Sequence, residues 1–112
     1  MGFEFRNLKV YTLAKSFHQD IVVVLNQKKV NKILTDQLTR ASSSIILNLA
    51  EGYGRFHKAD KRNFYVTARA SLNECVACLD IIFDDEIPED ILHKAEELGR
   101  MISGLINKFL DN

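Results

Sequence analysis

Apolar residues recur at three- and four-residue steps along most of this chain, and nowhere does the strict alternation of a half-buried strand persist. The first such stretch runs from about Asn7 to Lys28. Leu8, Tyr11, Phe17, Ile21 and Val24 lie on one stripe, and Val10, Leu13, Ala14 and Leu25 widen it. The polar run KKVNK, residues 28–32, closes it. The second stretch is expected to open with Thr35 as N-cap and Asp36 in the first turn, where a carboxylate suits the positive end of the helix dipole. Leu38, Ala41, Ile45 and Leu49 form its face. Gly52 and Gly54 are expected to stop it, because glycine enters the left-handed conformation of a helix end without a Cβ penalty. The third stretch runs from about Lys58 to Phe83, with Phe64, Ala68, Leu72, Cys75, Leu79 and Ile82 on its stripe. After DDEIPED, residues 84–90, Pro88 is expected in the first turn of a fourth helix. That helix would use Ile91, Ala95, Leu98, Ile102, Leu105 and Phe109.

Four helices joined by loops of a few residues predict an all-α, up-down-up-down antiparallel four-helix bundle. Five glycines and one proline in 112 residues leave little punctuation for many short strands, and no linker or repeat divides the chain. Residues 1–112 therefore read as a single domain. In this topology KKVNK and DDEIPED share one end and could neutralise each other, while RFHKADKR, residues 55–62, stands alone at the other.

The second helix is more polar than its apolar stripe requires: RASSSIILNLAEG, residues 40–52, sets serines, an asparagine and a glutamate among its core positions. Folding this helix back on the third about His57 places Arg40 opposite Glu74, Ser44 opposite Ala70 and Ser71, and Glu51 near Asn63 and Arg62. The register predicts an Arg40–Glu74 ion pair, a Glu51–Arg62 pair, and a close approach over Ala41, Ser44, Ala70 and Ser71. Arg40, Ser44, Asn48, Glu51, Ser71 and Glu74 are thus candidates for helix pairing or for a subunit interface, since buried polar groups serve as register devices.

Charge changes the picture locally. Fifteen Lys/Arg balance fifteen Asp/Glu, so the whole chain is no polycation. Residues 1–40 nevertheless hold seven Lys/Arg against three Asp/Glu, and residues 81–112 hold three against eight. That asymmetry permits a basic surface on a neutral protein, and equally an attraction between subunits. Arg55, Lys58, Lys61 and Arg62, with Tyr53, Phe56 and His57 beside them, form the candidate nucleic-acid surface. Cations attract phosphates, and interleaved aromatics can stack on unpaired bases. The competing reading is an ordinary solvated loop and helix start, with Asp60 taking part of the charge. The N-terminus lacks the pattern of a signal peptide, and IVVVL, residues 21–25, is too short to span a bilayer. A cytoplasmic protein without membrane partners is expected, with its two cysteines reduced. Cys75 and Cys78 form a CxxC, but in mid-helix, so no helix N-terminus activates them and packing is the expected role. No metal site, cofactor or catalytic constellation is expected, since no second CxxC, HExxH or phosphate loop is present.

LTDQLTRASSSIILNLAEGYGR, residues 34–55, followed by FYVTARASLNECVACLDI, residues 64–81, resembles a four-helix-bundle family encoded in 23S rRNA intervening sequences. That family includes the accessory variability determinant (Avd) of diversity-generating retroelements. The positions that carry the likeness are Leu34, Gln37, Arg40, Ala41, Ser44, Ile45, Asn48, Ala50, Glu51 and Gly52, then Ala68, Ser71, Leu72 and Glu74. LKVYTLAKSF, residues 8–17, is similar to the family's opening. Two departures stand out: Ala70 replaces the family's usual glycine, and the chain lacks the strong positive charge of Avd members. The resemblance implies a homopentamer and, for the Avd branch, binding to RNA or DNA and to a reverse transcriptase. The function expected is a non-catalytic, oligomeric, nucleic-acid-binding accessory protein. The alternative is a protein-interaction scaffold that ignores nucleic acid, and a thiol or metal enzyme built on Cys75 and Cys78 is a third.

Overall fold

The computed structural model describes residues 2–110. A single 3-10 turn, Glu4–Asn7, precedes four helices among these residues: α1 (Lys9–Gln27), α2 (Lys32–Gly54), α3 (Lys58–Phe83) and α4 (Glu89–Lys108). Each helix packs on its chain neighbours, α4 closes onto α1, and among the described residues no close backbone approach crosses either diagonal. This is the antiparallel up-down-up-down bundle. Its long axis of 45 Å follows from α3, whose 26 residues at about 1.5 Å each span roughly 39 Å.

The core follows the apolar stripes. Ala14, Phe17 and Ile21 of α1, Leu38 and Ile45 of α2, Ala68, Cys75 and Leu79 of α3, and Leu98 and Ile102 of α4 are wholly buried. Two stripes turn slightly from their expected positions. On α3 the deepest aromatic is Tyr65 rather than Phe64, and on α4 Ile106 is buried while Leu105 and Phe109 lie at the margin.

Several helix ends differ from expectation. α2 begins three residues before Thr35, because the Asn31 side chain accepts from Leu34 N at 2.9 Å and supplies the N-cap. Pro88 occupies the N-cap of α4, one position outside the first turn, and leaves Glu89 and Asp90 at the dipole's positive end. Gly52 and Gly54 do not stop α2 by turning left-handed: both lie within it and neither has a positive φ. The left-handed residues are Asp84 (φ 51°) and Asp85 (φ 65°), which end α3 with Asp85 N donating to Asp80 O at 2.9 Å.

The most extensive pairing is α2 with α3. Gly52 explains part of it. A Cβ at this position would stand 2.7 Å from Tyr65 Cε1 and 3.1 Å from Phe64 Cβ, so the glycine marks a backbone approach no side chain would permit. The Ser44 and Ser71 hydroxyls share a hydrogen bond at 2.8 Å, which establishes the expected register. Ala70, expected in the seam, is instead exposed. It lies one helical step of about 100° from Ser71, which turns it out of the contact.

Candidate nucleic-acid interface

The α2–α3 turn is not alone at its end of the bundle. Arg62 Nη1 donates to Phe109 O at 3.0 Å, and the Tyr53 hydroxyl donates to Glu4 at 3.5 Å, so both termini of the described chain gather there. Arg6, Lys9, Arg55, Lys58, Lys61, Arg62 and Lys108 lie at this end with Glu4, Glu51 and Asp60, and Glu97 lines a surface hollow with Lys9. The opposite end carries Asp84, Asp85, Glu86, Glu89 and Asp90 beside Lys28, Lys29 and Lys32. Among the described residues no ion pair joins these two loops: Lys32 pairs with Asp36 at 3.0 Å, and Lys28 lies 4.8 Å from the centre of the Phe83 ring. A neutral chain has folded into a bundle with a basic and an acidic end.

The four cations proposed for the basic surface divide into two kinds. Lys61 is turned inward, where its ammonium donates to Tyr53 O at 2.7 Å and to Gly52 O at 3.2 Å. These are carbonyls of the last turn of α2, which lack i+4 partners; Gly52 O also accepts from Arg55 N at 3.2 Å, and Tyr53 O depends on the ammonium. The Tyr53 and Phe109 rings lie 5.4 and 5.6 Å from the same ammonium. Burial first, and Lys108 second, lower the Lys61 pKa from its ordinary value. Arg62 likewise tends the C-terminal end of α4 through Phe109 O. Lys61 and Arg62 thus serve first as helix caps. Arg55 is shared, with Nη2 3.3 Å from Glu51 Oε2 and its guanidinium 4.7 Å above the Phe64 ring. Lys58 is exposed and has no hydrogen bond or ion pair among the described residues.

The polar residues of α2 are mostly satisfied inside the chain. Asn48 Nδ2 donates to Ser44 O at 2.8 Å and to Ser44 Oγ at 3.0 Å, linking it to the Ser44–Ser71 contact. Ser43 Oγ donates to Thr39 O at 2.9 Å. Glu51 pairs with Arg55, not with Arg62 as the register suggested, because the i,i+4 partner lies on the same helix face. Arg40 and Glu74 are both exposed and do not form the expected ion pair. They lie on the outer rim of the α2–α3 seam, where solvated side chains gain little by closing on each other.

Sequence reasoning missed two polar links. His18 Nδ1 lies 2.7 Å from Ser42 Oγ, a wholly buried hydroxyl that also donates to Thr39 O at 3.1 Å. This serine–histidine contact ties α1 to α2. Lys94 of α4 reaches Asp20 at 2.7 Å and Ser16 at 2.8 Å on α1. Each joins residues far apart in sequence, and no local spacing signals either.

Cys75 and Cys78 are buried free thiols. Burial, then Cys78 and Glu74, push the Cys75 thiol up to about 12, and burial and Glu74 also raise Cys78. Both are held away from the thiolate form that reacts or binds metal. Among the described residues no three His, Cys, Asp or Glu side chains gather as a metal site, and no helix is long and apolar enough to cross a membrane.

Neither the curated proteins nor the solved structures contain a match to this chain. A family model described as 23S rRNA-intervening sequence protein matches residues 6–104, a span that includes all four helices nearly whole and the α2–α3 turn. The chain belongs to the 23S rRNA-intervening sequence protein family.

Proposed function

We propose that this protein is a non-catalytic, self-associating accessory factor that binds nucleic acid with the basic end of its bundle. The observation that carries this reading is the segregation of charge: in a chain of zero net charge, Arg6, Arg55, Lys58, Lys61 and Lys108 gather at one end of the bundle, and Asp84, Asp85, Glu86, Glu89 and Asp90 at the other. Such a surface attracts phosphates without making the whole protein a polycation. Repetition around an oligomer would strengthen the field, and the resemblance suggests a pentamer. A reverse transcriptase is the protein partner that the Avd branch suggests.

The test is fluorescence anisotropy of labelled RNA and DNA across a salt series, comparing the wild type with Arg55→Gln/Lys58→Gln. These two positions are chosen because Lys61 and Arg62 cap helices, and their loss would mix stability with binding. Binding should weaken steeply with salt, and the double variant should lower the slope by up to about 2 on a log–log scale. Absence of binding at low salt, where screening is least, would reject the reading.

One feature favours a protein-interaction scaffold as the second reading. The register set by Ser44 and Ser71 places exposed Ile33 (77 %) across from exposed Ile81 (65 %), with exposed Leu47 (66 %) farther along the same α2 face. Arg40 and Glu74 lie between them with no ion pair among the described residues. An outer face with apolar and charged residues of this kind suits a protein contact. On the scaffold reading the oligomer forms and nucleic acid is ignored.

A further inference from the structure

Phosphate attraction does not account for Phe56. At 90 % exposure it is more open than any other large hydrophobic side chain among the described residues, and it adds nothing to the core. The other aromatic rings around this turn are occupied. Tyr53 and Phe109 lie beside Lys61, Phe64 lies beneath Arg55, and Phe109 also packs against Tyr65 at 5.9 Å. Phe56 makes one ring contact, a T-shaped one with His57 at 5.1 Å and 89°, and at 90 % exposure it keeps at least one face open.

Its surroundings select an occupant. Arg55, His57 and Lys58 flank the ring in sequence, all exposed, so its chain neighbours are cationic or polar rather than the apolar residues a protein contact would cover. A base offers a flat π-face carried on a phosphate, which matches an open ring beside cations. In a duplex each base already has both faces stacked, and the ring gains nothing without unstacking a step. We propose that Phe56 is a stacking platform for an unpaired base, and that the ligand of the basic end is single-stranded nucleic acid or an unpaired loop. This rests on the nucleic-acid reading above and adds the ligand class and the residue that selects it.

The test compares a labelled oligouridine of about ten nucleotides with a duplex of the same length at one salt concentration. Wild type, Phe56→Ala and Phe56→Trp are titrated, with circular-dichroism melts as the folding control. Because Phe56 lies off the core, both variants should melt as the wild type does. The wild type should prefer the single strand. Phe56→Ala should lose about tenfold in affinity for it and leave duplex binding unchanged, whereas Phe56→Trp should keep or raise single-strand affinity. If both nucleic acids bind and Phe56→Ala weakens neither, or weakens both alike, the stacking role is overturned while the basic end stands. If the wild type binds neither at low salt, both proposals fall.

Discussion

Replacing Gly52 with alanine probes how closely α2 and α3 are pressed together. The new Cβ would lie 2.7 Å from Tyr65 Cε1, 3.0 Å from Tyr65 Cδ1 and 3.1 Å from Phe64 Cβ. Carbon atoms rest at about 3.5–4.0 Å, so the overlap is close to 1 Å. Tyr65 is 2 % exposed and packs on Phe109, which leaves its ring little room to withdraw. Overpacking of this kind costs about 1–3 kcal/mol. Alanine also gains about 1 kcal/mol over glycine in helix propensity, which hides part of the loss. Gly54→Ala is the control, since it lies in the same last turn and its Cβ meets nothing within 4 Å. Gly52→Ala should therefore be less stable than Gly54→Ala by about 1–3 kcal/mol. In a domain of this size that lowers Tm by roughly 4 °C per kcal/mol. Far-UV circular dichroism at matched protein concentration measures it, because self-association shifts midpoints by mass action. A Gly52→Ala protein that melts with Gly54→Ala, or above it, would refute the close approach.

Other consequences are as direct. Asn31→Ala should cost about 1 kcal/mol in urea melts and Thr35→Ala less, since Asn31 supplies the cap; the reverse order would return the start of α2 to Thr35. Lys61→Met should destabilise by about 1–3 kcal/mol through the Tyr53 carbonyl it abandons, Gly52 O still accepting from Arg55 N, whereas Lys58→Met should leave the melt unchanged. Ser44→Ala should cost about 1–2 kcal/mol by stripping Ser71 of its hydroxyl partner, and Ser44→Ala/Ser71→Ala should cost less than the sum of the singles; strict additivity in the double-mutant cycle would deny the contact. Native protein should resist thiol reagents near neutral pH and react only as it unfolds; prompt labelling of Cys75 or Cys78 would contradict their burial. The unfolded Cys75 thiol ionises before the folded one, so the unfolded chain binds fewer protons between the ordinary thiol value and about 12. This contribution to stability is whole below that window and declines as pH rises through it.

What was legible in the sequence was whatever depends on local spacing. The bounds of α3 follow from a continuous apolar stripe between a charged turn and an acidic one, and the α2–α3 register follows from chain reversal about one turn. What escaped depends on partners brought in from elsewhere. Asn31 and Thr35 are both good caps, and only the backbone path decides between them. A glycine near a helix end reads equally as a stop or as a close approach, and the choice at Gly52 belongs to Tyr65 on another helix. The basic turn was visible as a cluster, but not its division. Lys61 and Arg62 turn to carbonyls of helix ends that converge only in the folded bundle, while Lys58 and Phe56 remain open to solvent. Arg40 and Glu74 sit at opposed positions yet on an outer rim, where register alone does not make an ion pair.

The most direct test of the central claim is amide hydrogen exchange of the whole protein, followed by mass spectrometry, with and without saturating oligouridine. Exchange should slow in peptides spanning residues 53–62 and the N-terminal 3-10 turn, with residues 84–90 at the acidic end unchanged. Protection confined to the acidic end or to the outer α2–α3 face, or no protection anywhere, would contradict it.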